Sequence, residues 1–206
     1  MTHWAMVIDI NKCIGCETCI KVCTGGNAIP QGGTWRQAAV QPLKTESGES
    51  EFFFTFSCMH CEKPACLKVC PTSATHRRPD GIVDIDEDRC VGCSACIQAC
   101  PYDARRIARV DTISFCEPEK KHPGAGGSDR IGLPTKCDFC CHRIDAGVRD
   151  GLSPGVDDAA TPLCVRHCLG EALHFGDLDD PDSHVSKILK DHRSFRLRED
   201  LKTRPS

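Results

Sequence analysis

The chain has 206 residues, 29 acidic and 26 basic, with a formal net charge of −3 and no basic stripe, which argues against a general nucleic-acid binder. Aromatic residues make up 5% and the 40% hydrophobic fraction includes 18 cysteines, so apolar burial alone gives a marginal core and metal sites are expected to carry the fold. No segment approaches the ~18 apolar residues needed to cross a bilayer, and MTHWAMVIDINKC lacks the basic flank, apolar run and cleavage site of an export signal, so cytoplasmic synthesis is expected.

In chain order, a short β-branched strand at Val7–Ile10 leads through Asn11-Lys12 into a first cysteine tetrad, Cys13-x2-Cys16-x2-Cys19-x3-Cys23. Phe52-Phe53-Phe54-Thr55-Phe56 reads as a strand, either buried or laid against a partner, entering a second tetrad, Cys58-x2-Cys61-x4-Cys66-x3-Cys70. An Asp80-Gly81 turn and the strand Ile82–Ile85 lead into the third, Cys90-x2-Cys93-x2-Cys96-x3-Cys100, so the approach to the first tetrad is repeated. Gly15 and Gly92 hold matching places in the two loops, where a side chain would keep the backbone from its ligand. Glu117–Thr135, rich in Gly, Pro and charge, reads as a surface connection. The fourth tetrad is stretched, Cys137-x2-Cys140…Cys164-x3-Cys168, with the loop Ala146–Pro162 between its halves. Residues 179–206 form a polar arm carrying a helical stripe, Val185, Ile188 and Leu189, that packs on this protein or on a partner.

Sixteen of the 18 cysteines fall in these tetrads. Three thiolates within seven residues can wrap three iron corners of one cubane, while the fourth is expected to start a helix that carries it to a neighbouring cubane. Zinc knuckles separate two close pairs by a dozen or more residues and have no use for a third cysteine two positions on. Disulfides between such near neighbours would leave little room for an interior. The fourth tetrad by itself suits zinc as well as iron; beside the other three it reads as a cluster site. The x2 spacing makes Cys140 the ligand and Cys141 a buried free thiol, and Cys116 is expected to be a small core residue. His60 and His167 read as packed or exposed side chains before potential-tuning ones. Cluster-bound thiolates bring the loaded charge to about −11, which leaves Arg105, Arg106 and Arg109 as local cationic docking spots. Four ligands per cluster leave no open iron corner, so electron transfer without a catalytic residue of its own is the expected chemistry.

Cys70 and Cys90 are close enough for residues 52–112 to form one two-cluster ferredoxin-like unit. The first and fourth tetrads then pair across it. The expected fold is α+β, two bacterial-ferredoxin-like 2×[4Fe–4S] modules, one inserted in the other, with long irregular loops. The outer module comprises residues 1–51 plus 113–178 and the inner one residues 52–112. Pro71 and Pro101 follow the inner tetrads, whereas Thr24 and Leu169 follow the outer pair.

The tetrad order, Met59-His60-Cys61-x2-Pro64-Ala65-Cys66, Cys100-Pro101-Tyr102-Asp103-Ala104-Arg105 and Lys136-Cys137-Asp138-Phe139-Cys140-Cys141-His142-Arg143 together resemble one family over about residues 3–178. It is the four-cluster electron-transfer subunit of complex iron–sulfur molybdoenzymes, of the dimethyl sulfoxide reductase and polysulfide reductase type. The resemblance implies four [4Fe–4S] clusters. Cluster 1 would be held by Cys13, Cys16, Cys19 and Cys168; cluster 2 by Cys137, Cys140, Cys164 and Cys23. Cluster 3 would be held by Cys58, Cys61, Cys66 and Cys100; cluster 4 by Cys90, Cys93, Cys96 and Cys70. It further implies a large molybdopterin (Mo/W) catalytic subunit and a quinone-reactive membrane subunit or soluble electron acceptor. The complex would be cytoplasmic at the membrane, or periplasmic if exported with a partner. Two other readings are a polyferredoxin serving a hydrogenase or formate dehydrogenase, and a structural zinc protein that organises a complex.

Overall fold

The computed structural model describes residues 2–29, 33–45, 48–107 and 131–206. Cys116, Arg109 and most of the connection Glu117–Thr135 lie outside them. The described residues form four antiparallel two-stranded ribbons: β1 (Trp4–Ile8) with β8 (Leu173–Asp177), β2 (Gln37–Thr45) with β3 (Gly48–Phe56), β4 (Thr75–Arg77) with β5 (Val83–Ile85), and β6 (Arg106–Ile107) with β7 (Pro134–Thr135). A two-stranded ribbon is marginal alone in water. These are held by the short helices and cysteine loops between them.

The first predicted strand starts three residues early and stops at Ile8, because the Asp9 side chain accepts the Asn11 N–H at 2.9 Å and turns the chain. Its partner comes from the far end of the sequence: Val7 lies opposite His174 and Ile8 opposite Leu173. The Asp80-Gly81 turn forms as expected, with Gly81 at φ +90°, and closes the β4–β5 hairpin.

The phenylalanine strand exists but is not buried. In β3 the rings are half-exposed and Thr55 is the buried residue. A ribbon covered on one side only leaves every other side chain towards water. Phe52, Phe54 and Phe56 file along one face with centroids 6.0 and 5.9 Å apart, while Phe53 on the other lies over Gly15.

The loop expected over Ala146–Pro162 begins as helix: α4 (Cys141–Arg149) buries Ile144 and brings Gly147 against Ala160, where a Cβ would stand 2.2 Å from the Ala160 Cβ. Pro134–Thr135, expected in the surface connection, forms β7. The polar arm also packs. In α6 (His184–Asp191) Val185 is fully buried against β8, so the stripe covers this protein's own sheet. Residues 203–206 then cross the second cysteine loop, with Lys63 N–H donating to Thr203 O at 3.0 Å and Ser206 N–H to Met59 O at 2.9 Å.

The core joins the parts. Trp4 stacks on Phe175 at 5.5 Å, Phe175 meets Phe139 edge-on at 5.2 Å, and Phe139 stacks on His60 at 3.8 Å. Trp35, Ile29, Ile82 and Ile144 fill the remainder.

Candidate metal centres

The third cysteine of each tetrad takes the same local place. Cys19, Cys66, Cys96 and Cys164 are each the second residue of a helix: α1 (Thr18–Gly26), α2 (Ala65–Lys68), α3 (Ala95–Gln98) and α5 (Leu163–Arg166). All four are buried. The helix was expected to begin at the fourth cysteine; it begins one residue before the third, and the fourth stands within the helix or just past its end. Pro71 and Pro101 bar continuation beyond Cys70 and Cys100, where α2 and α3 have four residues, whereas α1, followed at Cys23 by Thr24, runs to nine. Proline is not required for a short helix, since α5 also has four residues with Leu169 after Cys168.

Two loop designs alternate. Tetrads one and three enter their helices through Gly15 and Gly92 (φ +68° and +69°) and then Glu17 and Ser94 (φ +57° and +62°). Tetrads two and four enter theirs from an extended proline, Pro64 and Pro162. Their first loops place His60 and Phe139 at positive φ between paired cysteines.

The thiols gather in four sets. Cys13, Cys16, Cys19 and Cys168 line one cavity, together with Gly15, Thr55 and Leu173. Cys70, Cys90, Cys93 and Cys96 line a second, together with Thr75, Ile85 and Pro134. Burial pushes the Cys23 thiol well up, and Cys137, Cys140 and Cys164 push it further. Burial likewise raises Cys61 to about 12, with Cys58, Cys66 and Cys100 adding to the shift. Every described cysteine is a free thiol. Among the described residues no three His, Cys, Asp or Glu side chains converge on a single ion.

The sulfurs are equipped as anions. Backbone N–H groups donate to Cys137 Sγ from Phe139 (3.4 Å), to Cys70 Sγ from Thr75 (3.4 Å), to Cys100 Sγ from Ala104 (3.5 Å) and to Cys168 Sγ from Ala172 (3.2 Å). Asn27 Nδ2 donates at 3.6 Å to both Cys23 and Cys140. Thiols crowded this closely cannot all ionise in a dry interior unless a cation holds them, and metal ligation supplies that charge while releasing their protons. The donor set fits an iron–sulfur group.

His60 fits it too. The ring is fully buried, and its Nδ1 accepts the Val83 N–H at 3.1 Å, which puts the proton on Nε2. That N–H has no partner among the described residues, and a cluster sulfur is an acceptor it can use. Burial, with Lys136 and Arg105 behind it, holds His60 far below the ordinary imidazole range, so it stays neutral. His167 is exposed and bonds Leu163 O at 2.9 Å. Cys140 faces Cys23 and Asn27, whereas Cys141 points elsewhere, its Sγ 3.6 Å from Asp138 Oδ2, and is half-buried rather than buried.

Arg105 is no docking spot. It is 1% exposed, with Nη2 donating to Cys66 Sγ at 3.1 Å and Nη1 to Thr75 Oγ1 at 3.1 Å. The Cys66 sulfur and Thr75 hydroxyl hold the guanidinium inside, and burial leaves it no route to a partner. Arg106 is half-buried and tied to Asp103 at 2.5 Å. Sequence reasoning also missed Arg36, 1% exposed, and Lys136, 4% exposed. No local pattern marks either as interior; only the fold puts the thiols around them.

Residues 5–71 and 50–128 each match the 4Fe-4S dicluster domain. The sequence is 37% identical to a selenate reductase subunit from Mesobacillus selenatarsenatis over 99% of its own length and 70% of the relative's. It is 36% identical to a component of polysulfide reductase from Wolinella succinogenes, over 98% and 91% respectively. A sulfite dehydrogenase subunit from Allochromatium vinosum is 32% identical over 100% and 82%. With these relatives along nearly its whole length, the protein belongs to the iron–sulfur electron-transfer subunits of complex molybdoenzymes, of the dimethyl sulfoxide reductase and polysulfide reductase type.

Proposed function

We propose that this chain relays single electrons through four [4Fe–4S] clusters between a large molybdopterin (Mo/W) catalytic subunit and a quinone-reactive membrane subunit or other acceptor. The observation that carries it is the gathering of sixteen thiols in four sets, each made of three cysteines from one tetrad and the last cysteine of another. Those sets support the assignment of Cys13, Cys16, Cys19 and Cys168 to cluster 1 and of Cys137, Cys140, Cys164 and Cys23 to cluster 2. They equally support Cys58, Cys61, Cys66 and Cys100 for cluster 3 and Cys90, Cys93, Cys96 and Cys70 for cluster 4. The exchange of last cysteines supports an inner module, residues 52–112, inserted in an outer one built from 1–51 and 113–178, as does the pairing of β1 with β8.

A [4Fe–4S] cluster supplies reversible one-electron transfer. The protein's own part is to hold sulfur in place, to donate N–H groups to it and to keep water away. In each tetrad the third and fourth ligands belong to neighbouring clusters yet lie four residues apart, which keeps the paired clusters close. His60 stacked on Phe139 joins the ligand loop of cluster 3 to that of cluster 2, and both rings are buried at this crossing. At the two ends the packing opens. Cys16 and Cys93 are the exposed cysteines among those described, beside exposed Ile14, Leu169 and Val91. We assign the Cys16 end to the catalytic subunit and the Cys93 end to the other partner, in a complex at the membrane. No helix among the described residues is long and apolar enough to cross one.

Anaerobic affinity purification from the native host tests the proposal. A large partner carrying molybdenum or tungsten on a pterin is the expected companion. A lone brown monomer that reduces soluble hydrogenase or formate dehydrogenase would instead make the protein a polyferredoxin. A colourless protein with stoichiometric zinc would end the electron-transfer reading.

A further inference from the structure

Among the described residues three buried cations, Arg36, Arg105 and Lys136, stand in the interior, and ligation of iron requires none of them. The Arg36 guanidinium donates from Nη1 to Thr55 Oγ1 at 2.7 Å and from Nη2 to Met6 Sδ at 2.7 Å. Thr55 in turn hydrogen-bonds the Cys19 thiol. The acidic groups acting most strongly on Arg36 are Cys164, Cys137, Cys19 and Cys23, which belong to the sets of clusters 1 and 2. Arg105 repeats the arrangement. It reaches Thr75 and Cys66, and Cys66, Cys96 and Cys58 surround its charge; these belong to the sets of clusters 3 and 4. The Lys136 ammonium lies between the two arrangements, donating to Val83 O and to Cys137 O at 2.8 Å, and its charge acts on Cys66 and on His60. Its neighbours are therefore ligands of clusters 2 and 3.

Burying a cation away from water is costly unless anionic groups offset it. Here the interior offers cysteine sulfurs, and each cation stands beside cysteines of two of the four sets. We propose that Arg36, Lys136 and Arg105 are positioning residues that set the cluster potentials, one buried positive charge in each of the three gaps between successive clusters. The proposal rests on the cluster assignment above. Each one-electron reduction adds a negative charge to a cluster, and a fixed cation beside it favours that charge, so potential rises. A cation shared by two clusters lifts both together. The difference between the two neighbours is then little changed, while the pair as a whole becomes easier to reduce.

The test uses the intact complex carrying Arg36→Gln, Arg36→Lys, Arg105→Gln or Arg105→Lys. Iron and sulfide are counted, and dithionite titration is followed by low-temperature electron paramagnetic resonance. Each glutamine variant is expected to keep its iron and to weaken the electron affinity of two clusters about tenfold or more, at about 59 mV per tenfold for a one-electron couple. The two variants should move different pairs, and the lysine variants should stay near the parent. Potentials unmoved at full iron content would overturn the inference. So would a loss common to glutamine and lysine, which would mean that shape and not charge is at stake. Should a glutamine variant shed iron, Lys136→Met makes the same test at the central gap, where the flanking two clusters must fall. A parent complex with fewer than four clusters would instead fail the assignment, a separate result read from iron content alone.

Discussion

Gly15 and Gly92 hold equivalent places and nearly equal backbone angles, yet the structure predicts unequal consequences for alanine. At both, a Cβ in the left-handed region costs about 1–2 kcal/mol. At Gly92 the new atom would lie 3.4 Å from Gly132 O and 3.7 Å from Leu133 Cδ2, contacts that need little adjustment. At Gly15 it would lie 2.5, 2.8 and 2.9 Å from three carbons of the Phe53 ring, which must move. Overpacking of that kind adds about 1–3 kcal/mol, so Gly15→Ala should cost about 2–5 kcal/mol and Gly92→Ala about 1–2. The assay is the anaerobic rate at which an iron chelator bleaches the band near ~400 nm, since cluster release and unfolding are linked. Gly15→Ala should bleach about tenfold or more faster than Gly92→Ala, a factor worth about 1.4 kcal/mol. Phe53→Ala removes the obstruction, so the double variant should be slower to bleach than the sum of the single effects requires. Equal rates for the two alanine variants, or strict additivity with Phe53→Ala, would refute the placement of this ring over the first ligand loop.

Two further outcomes follow from the same packing. Stripping the clusters should unfold the protein, because metal-site binding is worth about 10–16 kcal/mol in small metal-stabilised domains and whole-domain stabilities are about 5–15 kcal/mol. Circular dichroism and amide dispersion of the chelated protein check it, and a cluster-free sample with native dispersion would contradict it. Acidification should loosen α6. Burial, and then repulsion from His184, lowers the His174 pKa, so the folded state prefers the neutral ring. The stability this contributes is full above the unfolded value of about 6.5 and is lost as pH falls through the depressed folded value. Hydrogen exchange of residues 184–191, corrected for intrinsic rate, should accelerate between pH 7 and 5.5. Unchanged protection would mean that His174 and His184 do not govern this contact.

What could be read in advance was what repeats locally. The cysteine spacing of the first three tetrads, the Gly15 and Gly92 loops, the Asp80-Gly81 turn and the strand before the third tetrad are each fixed within about a dozen residues, and the loops, turn and strand appear in the structure. What escaped depends on distant segments. The partner of β1 lies about 170 residues downstream, and no pattern in Trp4–Ile8 names it. The charge on Arg105 argued for the surface, because arginine is rarely buried without a partner. The partner is the Cys66 sulfur 39 residues away, visible only once the protein is folded. For Phe52–Phe56 burial within this chain is not what the fold provides, since apolar composition says nothing about whether a second layer of the same chain exists to cover a ribbon. Residues 203–206 gave no sign of their contacts across Met59–Lys63, where three backbone hydrogen bonds are joined by the Arg204–Glu62 ion pair and by Ser206 Oγ donating to His60 O.

The most direct measurement is quantitative iron and acid-labile sulfide on the anaerobically prepared protein or complex, combined with spin counting after dithionite reduction. Four cubanes per chain predict about 16 of each element and interacting paramagnetic signals from neighbouring clusters. Iron and sulfide amounting to two clusters or fewer, or a preparation silent to dithionite, would contradict the relay described here.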